Sequence, residues 1–345
     1  MGSEMCIRDR VTRAYGSTMN IPELDAFLER TGLVKRDVPR QLTPLTGGVS
    51  SDIWRVEVAD GRSLCVKRAL AKLKVAADWQ APVSRNAYEW AWIQFAVGVL
   101  PQAVPQPLAH DESVGMFAMD YLDPATHPVW KQLLLSGEVD VQLARQVGRV
   151  VGRLHQASAH RDDLARRFDT GANFHALRLE PYLVATAHRH PDLASHLHAL
   201  VHQTAHHPIA LVHGDVSPKN ILVGPQGPVL LDAECAWYGD PAFDVAFCLN
   251  HLLLKCVVVP HRRVELQAAF EAWVKGYFES TDFEPRSQLE LRCAQLLPAL
   301  MLARVDGKSP VEYITTEQDR DRVRAFAMPR VRRSPHSLRE LSLAW

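Results

Sequence analysis

The sequence has no long uninterrupted apolar segment and no excess of charge of either sign. A membrane-spanning helix needs about 20 predominantly apolar residues, and apolar stretches here, such as 252–254 with 256–259, are soon interrupted, in this case by Lys255 and Pro260. The 345 residues include 39 Lys and Arg and 39 Asp and Glu, so the formal net charge is +0. Proteins that bind nucleic acid by neutralising phosphates are usually basic. These features predict a soluble protein with no membrane span and no nucleic-acid partner.

The cysteine patterns of disulfide scaffolds and zinc sites are also missing. The six cysteines form no CxxC pair and no regular spacing, and most lie in apolar stretches, which favours reduced thiols in a core. The N-terminus has no apolar region typical of a signal peptide. We interpret residues 1–20 as a leader without fold, with a second possible start at Met19, and we expect the protein in the cytoplasm.

The spacing of apolar residues divides the chain into two parts. In residues 21–120, a short amphipathic helix at 21–34 precedes period-two segments, such as 52–59, that predict an antiparallel sheet, and a further helix is predicted at 84–99. In residues 121–345 the pattern is mainly helical, with long helices predicted at 139–157, 180–207, 262–278 and 287–305. The predicted class is α+β and bilobal: a small N-terminal lobe with an antiparallel sheet plus a helix, and a larger, mainly helical C-terminal lobe.

One stretch of the C-terminal lobe concentrates polar residues in predicted loops. A His-Gly-Asp triplet ending in Asp215 is followed by Asn220 and by a short hairpin, which returns the chain to Asp232 and Glu234. This arrangement offers one carboxylate to face a nucleophile and two or three oxygen ligands nearby. Magnesium prefers hard oxygen ligands together with phosphate oxygens, and phosphoryl transfer uses such a metal with a group that orients the nucleophile. The stretch therefore predicts metal-dependent phosphoryl transfer.

The pattern HGDxxxxN, followed by a hairpin and a second acidic motif, resembles the aminoglycoside phosphotransferase/choline kinase family, which has a protein-kinase-like fold. The resemblance implies ATP and Mg²⁺ as cofactors, Asp215 as the residue that accepts or orients the hydroxyl proton of the acceptor, and His213 as support for the loop. It also implies Asn220 and Asp232 as metal ligands. The Asp-x-Glu form of the second motif is most similar to methylthioribose kinases, in which the Glu, here Glu234, also serves the metal.

The resemblance places the grip on ATP in the N-terminal lobe. A glycine loop between two strands would cover the phosphates, a lysine on the third strand would contact them with a helix glutamate as its partner, and a hinge segment would bind adenine through its backbone. A solvated helix face is the alternative for the glutamate, and a plain interlobe linker is the alternative for the hinge. The residues concerned are Gly47, Gly48, Ser50, Lys67, Glu89, Met119 and Tyr121.

The acceptor is the least determined part of the prediction. Aminoglycoside kinases are expected to line their acceptor site with carboxylates, whereas the C-terminal lobe here has balanced charge. Residues 303–307 resemble a late helix of methylthioribose kinases, in which arginines face the transferred phosphate. This resemblance implies a catalytic role for Arg304. The alternative is a salt bridge from Arg304 to a carboxylate such as Asp306 or Asp244.

These observations together predict an ATP- and Mg²⁺-dependent phosphotransferase that acts on a hydroxyl of a small metabolite, with a sugar of the methylthioribose type preferred. An aminoglycoside or amino-alcohol kinase is the first alternative. A nucleotide-binding pseudokinase that serves as a scaffold is the second, and the intact set of motif residues argues against it. We expect a monomer or a homodimer whose partner is a small-molecule hydroxyl acceptor.

Overall fold

A computed structural model describes residues 21–45, 51–70 and 83–345 of the protein. The predicted leader and the predicted glycine loop, with Gly47, Gly48 and Ser50, lie outside these described residues. The described chain up to Gln94 forms one compact unit with Pro105–Leu122, and Phe95–Val104 forms the other with Asp123–Trp345. The α+β class is confirmed, because a small antiparallel sheet in the first unit contrasts with a mainly helical second unit.

The first unit contains a five-stranded antiparallel sheet in the order β1-β2-β3-β5-β4. Leu24, Phe27 and Leu28 recur at helical spacing on α1 and are fully buried, and they share one core with sheet residues such as Val56 and Val66. The elements up to residue 120 are α1 (Ile21–Arg30), β1 (Arg40–Leu45), β2 (Ser51–Val58), β3 (Ser63–Ala69), α2 (Arg85–Val99), β4 (Pro107–Asp111) and β5 (Met116–Asp120).

The second unit consists of helices and two short antiparallel strand pairs, β6 with β9 and β7 with β8. Its helices are α3 (Trp130–Ser136), α4 (Val141–Ser158), α5 (Asp162–Arg167), α6 (Gly171–Phe174), a π-helix (His175–Val184), α7 (Ala185–Arg189), α8 (Ala194–Ala205), α9 (Ala242–Val258), α10 (Arg263–Phe278), α11 (Arg286–Asp306), α12 (Glu317–Arg332) and α13 (Leu338–Ala344). Its strands are β6 (Ala210–Val212), β7 (Ile221–Gly224), β8 (Gly227–Leu230) and β9 (Trp237–Gly239).

Residues 242–257 of helix α9 are all buried, as expected of a helix in the interior of its unit. Helices α4 and α10 cross with their backbones in contact. A Cβ atom at Gly148 would lie 2.1 Å from the carbonyl oxygen of Trp273, and one at Gly276 would lie 2.1 Å from that of Arg145. Only glycine permits this approach, so the two helices pack without intervening side chains.

The prediction of one long helix over residues 180–207 is wrong. The chain there forms the π-helix, the short α7 and, after a turn that begins at Pro191, α8. Pro181 lies inside the π-helix, and proline lacks the N–H that a regular helix requires at these positions.

Within the described residues, no single helix has the length and apolarity to cross a membrane. The pair Ala242–Val258 and Pro260–Phe278 passes that test only when taken together, and it is bent by 119°.

Candidate active site

The loop that carries the His-Gly-Asp triplet is held by one carboxylate at the start of α9. The backbone N–H groups of His213 and Gly214 donate to the two oxygens of Asp244 at 2.7 and 2.8 Å. The His155 ring lies with Nε2 3.2 Å from the same carboxylate, and its Nδ1 lies 2.9 Å from the hydroxyl of Tyr277. All these groups are buried, so the loop is fixed by a satisfied polar network inside the core.

His213 positions the loop from within. Its Nδ1 accepts the backbone N–H of Asp215 at 3.2 Å, so the neutral ring carries its proton on Nε2. Burial lowers the pKa of His213, although the charges of Asp244 and Asp215 act in the opposite direction. A neutral ring that accepts a backbone N–H orients Asp215 and is poorly suited to donate a proton to substrate.

Gly214 adopts a conformation that side chains rarely take. Its φ is +80°, and a Cβ at this position would lie 2.5 Å from the carbonyl oxygen of Cys235. The close approach joins the catalytic loop to the segment that follows Asp232. A protein-kinase arginine at this position, where the present chain has glycine, would not fit.

The carboxylate of Asp215 lies between two cations that the sequence motif does not assign. Arg178, on the π-helix, lies 2.9 Å from it, and Lys219 lies 3.0 Å from it. Arg178 also donates to the carbonyl oxygen of Gly214 at 2.5 Å. Burial raises the pKa of Asp215, but the charges of Lys219 and Arg178 outweigh it, and the net pKa lies below the ordinary value. Asp215 is therefore ionised at neutral pH.

The sequence gives unequal signals for these two cations. Lys219 directly precedes Asn220 at an unspecified position of the HGDxxxxN stretch, so the sequence places it near Asp215 without giving it a role. Arg178 lies 37 positions before Asp215, on the π-helix, whereas Asp215 lies in a loop, and only the fold brings the two together. π-helical segments are frequent at functional sites, but the sequence pattern of this segment looks like that of an ordinary helix.

The predicted metal ligands lie next to Asp215. The side-chain N–H of Asn220 donates to the backbone carbonyl of Asp215 at 3.1 Å. The amide oxygen of Asn220 takes no part in this hydrogen bond. The N–H of Leu231 donates to the carbonyl of Asn220 at 2.9 Å and so places Asp232 beside it. Asp232 has a φ of 70°, and its charge raises the pKa of Lys219. The backbone carbonyl of the buried Glu234 accepts from Asn173 at 3.3 Å.

Oxygen donors of this kind fit Mg²⁺. Between residues 21 and 345, apart from 46–50 and 71–82, no group of three or more His, Cys, Asp and Glu side chains is arranged to hold a metal by itself. Magnesium commonly uses one or two carboxylates and completes its shell with phosphate oxygens and water. Asn220 with Asp232 and Glu234 therefore suits a magnesium ion that arrives with a nucleotide.

In the first unit, the structure brings Lys67 and Glu89 together. The Lys67 ammonium lies 2.8 Å from the Glu89 carboxylate, and both side chains are almost fully buried. A solvated helix face for Glu89 is therefore wrong. A buried ion pair holds the lysine in one place, and removing either partner would leave an uncompensated charge.

The predicted hinge residues lie at the end of β5. Met119 pairs with Cys65 of β3 in the sheet. Just beyond the strand, the N–H of Tyr121 donates to the carbonyl of Ser63 at 3.3 Å, and the guanidinium of Arg55 lies 4.5 Å from the centre of the Tyr121 ring. The segment thus continues the pairing of β5 with β3 by one residue.

Arg304 pairs with neither of the carboxylates named as its alternative partners. Asp306 lies 2.7 Å from Arg324 and 2.8 Å from His190, and Asp244 holds the catalytic loop. Instead, Nη1 of Arg304 donates to the Tyr182 hydroxyl at 3.0 Å and to the carbonyl of Ser309 at 2.5 Å. Its Nε is buried and has no partner among the described residues. The salt-bridge alternative is therefore wrong.

The comparisons with known proteins agree with this geometry. The sequence profile of the phosphotransferase enzyme family (APH) matches residues 41–277. Methylthioribose kinase 1 of Oryza sativa subsp. japonica is 23% identical over 266 residues, which cover 67% of this chain and 61% of the relative. Methylthioribose kinase of Escherichia coli O45:K1 (strain S88 / ExPEC) is 25% identical over 260 residues, covering 62% and 61%. The chain thus spans about three fifths of the length of these curated relatives.

Two solved structures show the same fold at low identity. Amicoumacin kinase hAmiN, in complex with AMP-PNP, Ca²⁺ and Ami, has a TM-score of 0.58 and 16% identity, covering 98% of this chain and 100% of that one. Plasmodium vivax ethanolamine kinase has a TM-score of 0.58 and 12% identity, covering 94% of each. The likeness concerns the fold alone, and the bilobal, protein-kinase-like fold expected from the sequence is confirmed.

Proposed function

Because the chain belongs to the phosphotransferase enzyme family, we propose that it transfers the γ-phosphate of ATP to a hydroxyl of a small metabolite, with Mg²⁺. One observation carries the proposal. The buried, ionised Asp215 is fixed by Arg178 at 2.9 Å and Lys219 at 3.0 Å, and its own carbonyl holds the amide of Asn220. A carboxylate aligned beside hard oxygen donors is what in-line phosphoryl transfer to a hydroxyl requires.

Asp215 acts chiefly by orientation. The acceptor hydroxyl would donate a hydrogen bond to its carboxylate, which directs the oxygen lone pair toward the phosphorus atom. Because the pKa of Asp215 lies below its ordinary value, the carboxylate is a weak base, and it takes the proton only as the new P–O bond forms. Positioning and electrostatic stabilisation dominate such reactions. Lys219, whose side chain is 48% exposed, is the more accessible of the two cations.

The remaining predicted residues would serve ATP and the metal. Asn220, Asp232 and Glu234 would hold Mg²⁺, which would neutralise part of the phosphate charge. Lys67, held by Glu89, would contact the α- and β-phosphates. The glycine loop, Met119 and Tyr121 complete the proposed ATP grip, and Arg304 is proposed to face the transferred phosphate.

For the acceptor, a sugar-type hydroxyl compound is preferred. Support comes from the Asp-x-Glu motif and from methylthioribose kinases among the relatives, at 23% and 25% identity. Polycationic aminoglycosides are disfavoured because the two side chains paired with the Asp215 carboxylate, Arg178 and Lys219, are cations.

The proposal is tested by ATP turnover with Mg²⁺ and fractionated metabolite pools, comparing wild type with Asp215→Asn. The variant should lose about 10²- to 10⁴-fold in kcat, while the Kd of Mg·ATP, measured by calorimetry, stays unchanged. Asp321→Asn, at a carboxylate that is 66% exposed, is the matched control. Near-normal turnover in Asp215→Asn would remove Asp215 from the mechanism. A wild-type protein that binds Mg·ATP without turning over any pool would favour the scaffold alternative.

A further inference from the structure

Lys255 is a fully buried lysine without a carboxylate partner. It lies on α9, and its ammonium contacts the carbonyl of His251 at 3.5 Å and the ring of Tyr313 at 4.8 Å from the centre. No carboxylate of the described chain forms an ion pair with it. Burial, together with the charge of Lys131, lowers the pKa of Lys255 to about 7. Burying a cation without a counter-ion costs free energy, and an anion bound nearby would reduce that cost.

His251 lies one helical turn before Lys255, and the charges of Lys131 and Arg304 act on both side chains. Its Nδ1 lies 3.1 Å from the hydroxyl of Tyr313, and its Nε2 is buried with no partner among the described residues. Burial, then the charges of Arg304, Lys255, Lys219 and Lys131, hold the pKa of His251 well below its ordinary value. The neutral His251 ring therefore lies among cationic side chains, and its Nε2 forms no hydrogen bond with the described residues.

We call Lys131, His251, Lys255, Arg304 and Tyr313 the basic cluster. One carboxylate forms an ion pair with a member of the cluster: Oε1 of Glu312 lies 2.5 Å from the Lys131 ammonium. Lys131 is the most accessible cation of the cluster, with 18% of its side chain exposed. Lys255 is fully buried and contacts the Tyr313 ring, so it would act on a ligand through its charge, whereas the more exposed Lys131 would be the direct donor.

The basic cluster adjoins the catalytic carboxylate. The Arg178 guanidinium, paired with Asp215, lies 5.9 Å from the centre of the Phe247 ring, and that ring lies 5.7 Å from the ring of His251. Tyr182, which accepts from Arg304, also packs against Phe247, with 5.5 Å between ring centres. One aromatic ring therefore separates the catalytic pair from the cluster.

We propose that the acceptor carries an anionic group, a carboxylate or a phosphate ester, which the basic cluster binds while a hydroxyl of the same molecule meets Asp215. The proposal rests on the proposed function and narrows its substrate class. An anionic group would provide the missing counter-charge, whereas a neutral sugar would leave the buried donors unpaired, and sites built this way discriminate strongly. Methylthioribose itself, which is uncharged, is therefore expected to be a poor acceptor.

The first test separates acceptors by charge. A metabolite extract is divided by ion exchange into anionic, neutral and cationic pools, and each is incubated with the full-length protein, Mg²⁺ and labelled ATP. D-Ribonate and D-ribose 5-phosphate test the two sources of anionic charge, and methylthioribose is the neutral reference. Labelled product is expected from the anionic pool and from at least one of the two anionic probes. Efficient phosphorylation of methylthioribose or of the neutral or cationic pool would overturn the inference and leave the proposed function standing.

The second test uses two variants with opposite expected effects. Lys131→Met should raise KM for the anionic acceptor about tenfold. Glu312→Gln removes the carboxylate that competes for Lys131, so KM should fall about two- to fivefold. In both variants kcat should change little. Glu312 is 64% exposed, so its replacement by Gln should not destabilise the fold.

Glu317→Gln is the matched control, because Glu317 is 61% exposed and also pairs with a cation, Arg324. It should leave KM unchanged. A Glu312→Gln protein with unchanged or raised KM would contradict the inference. Failure of the wild type to bind Mg·ATP, or to turn over any pool, would instead overturn the proposed function together with it.

Discussion

The guanidinium of Arg178 lies 2.9 Å from the carboxylate of Asp215, and both side chains are almost completely buried. Arg178 also donates to the carbonyl of Gly214, so a single side chain fixes both the backbone of the catalytic loop and its reactive group. The planar, multidentate guanidinium is suited to this double contact, and an ammonium is not.

We therefore expect Arg178→Lys to keep the charge but loosen Asp215. The kcat should fall about 10- to 100-fold. In wild type the low pKa of Asp215 keeps it ionised from pH 8 to 5, so its protonation should not reduce kcat there. In the variant the pKa of Asp215 should rise, so the decrease in kcat that its protonation causes at acidic pH should move to higher pH. The check is a pH–rate profile, with Arg286→Lys, 63% exposed, as control. An unchanged profile would show that Arg178 is dispensable.

Asp232→Ala should abolish the Mg²⁺-dependent part of ATP binding. Asp232 follows β8 beside Asn220 and is the proposed carboxylate ligand, so its loss leaves the metal with too few protein oxygens. Calorimetry with ATP, with and without Mg²⁺, measures the effect. Asp321→Ala is the control, and the melting temperature of both variants should stay near that of wild type. Normal Mg·ATP binding by Asp232→Ala would place the metal elsewhere.

Arg304→Lys distinguishes two roles for this side chain. If the guanidinium faces the transferred phosphate, kcat should fall about tenfold or more, because charge that builds up in the transition state loses its planar donor. If it binds the anionic group of the acceptor, KM should rise and kcat should hold. Steady-state kinetics with the acceptor varied separates the two. A lower melting temperature with both constants normal would assign Arg304 to structure alone, through Tyr182 and Ser309.

Lys255→Met should stabilise the protein in a pH-dependent way. The pKa of Lys255 is about 7 in the folded state and about 10.4 when unfolded, so between these values the unfolded chain binds the extra proton and wild-type stability rises with pH. Below pH 7 the buried charge costs about 5 kcal/mol. The variant should thus be clearly more stable at pH 6, and the difference should shrink by pH 9.

Urea unfolding at the two pH values measures this difference. Lys275→Met, at a lysine that is 64% exposed, should show no such trend. An equal effect of Lys255→Met at both pH values would mean that Lys255 does not titrate in this range.

The sequence was sufficient for features that depend on local pattern. The helix predicted at 84–99 is Arg85–Val99, the strand predicted at 52–59 is Ser51–Val58, and the lysine and glutamate placed on neighbouring elements do meet. Alternation and helical spacing record which face of an element is buried, and these elements each have one buried face.

Features that depend on tertiary contacts could not be found in this way. In the sequence Lys255 interrupts an apolar stretch, yet it lies fully buried inside α9, because the elements packed around a helix decide which of its faces are buried. Arg178 reaches Asp215 through a π-helix whose sequence has no distinctive period. The roles of the candidate site residues stay predictions, while the structure places Arg178, Lys219 and Asn220 in contact with Asp215.

The backbone-to-backbone crossing of α4 and α10 has a consequence for how the protein loses activity. Amides at such a contact exchange with solvent only when the whole unit opens, so the segment Trp273–Tyr277 should be among the last to take up deuterium. His155 and Tyr277 extend from these two helices and meet at 2.9 Å, and His155 supports Asp244. The loop that carries Asp215 is thus anchored to a part of its unit that we expect to open last. Heating should therefore remove activity and tertiary structure in one cooperative step, without a folded but inactive intermediate.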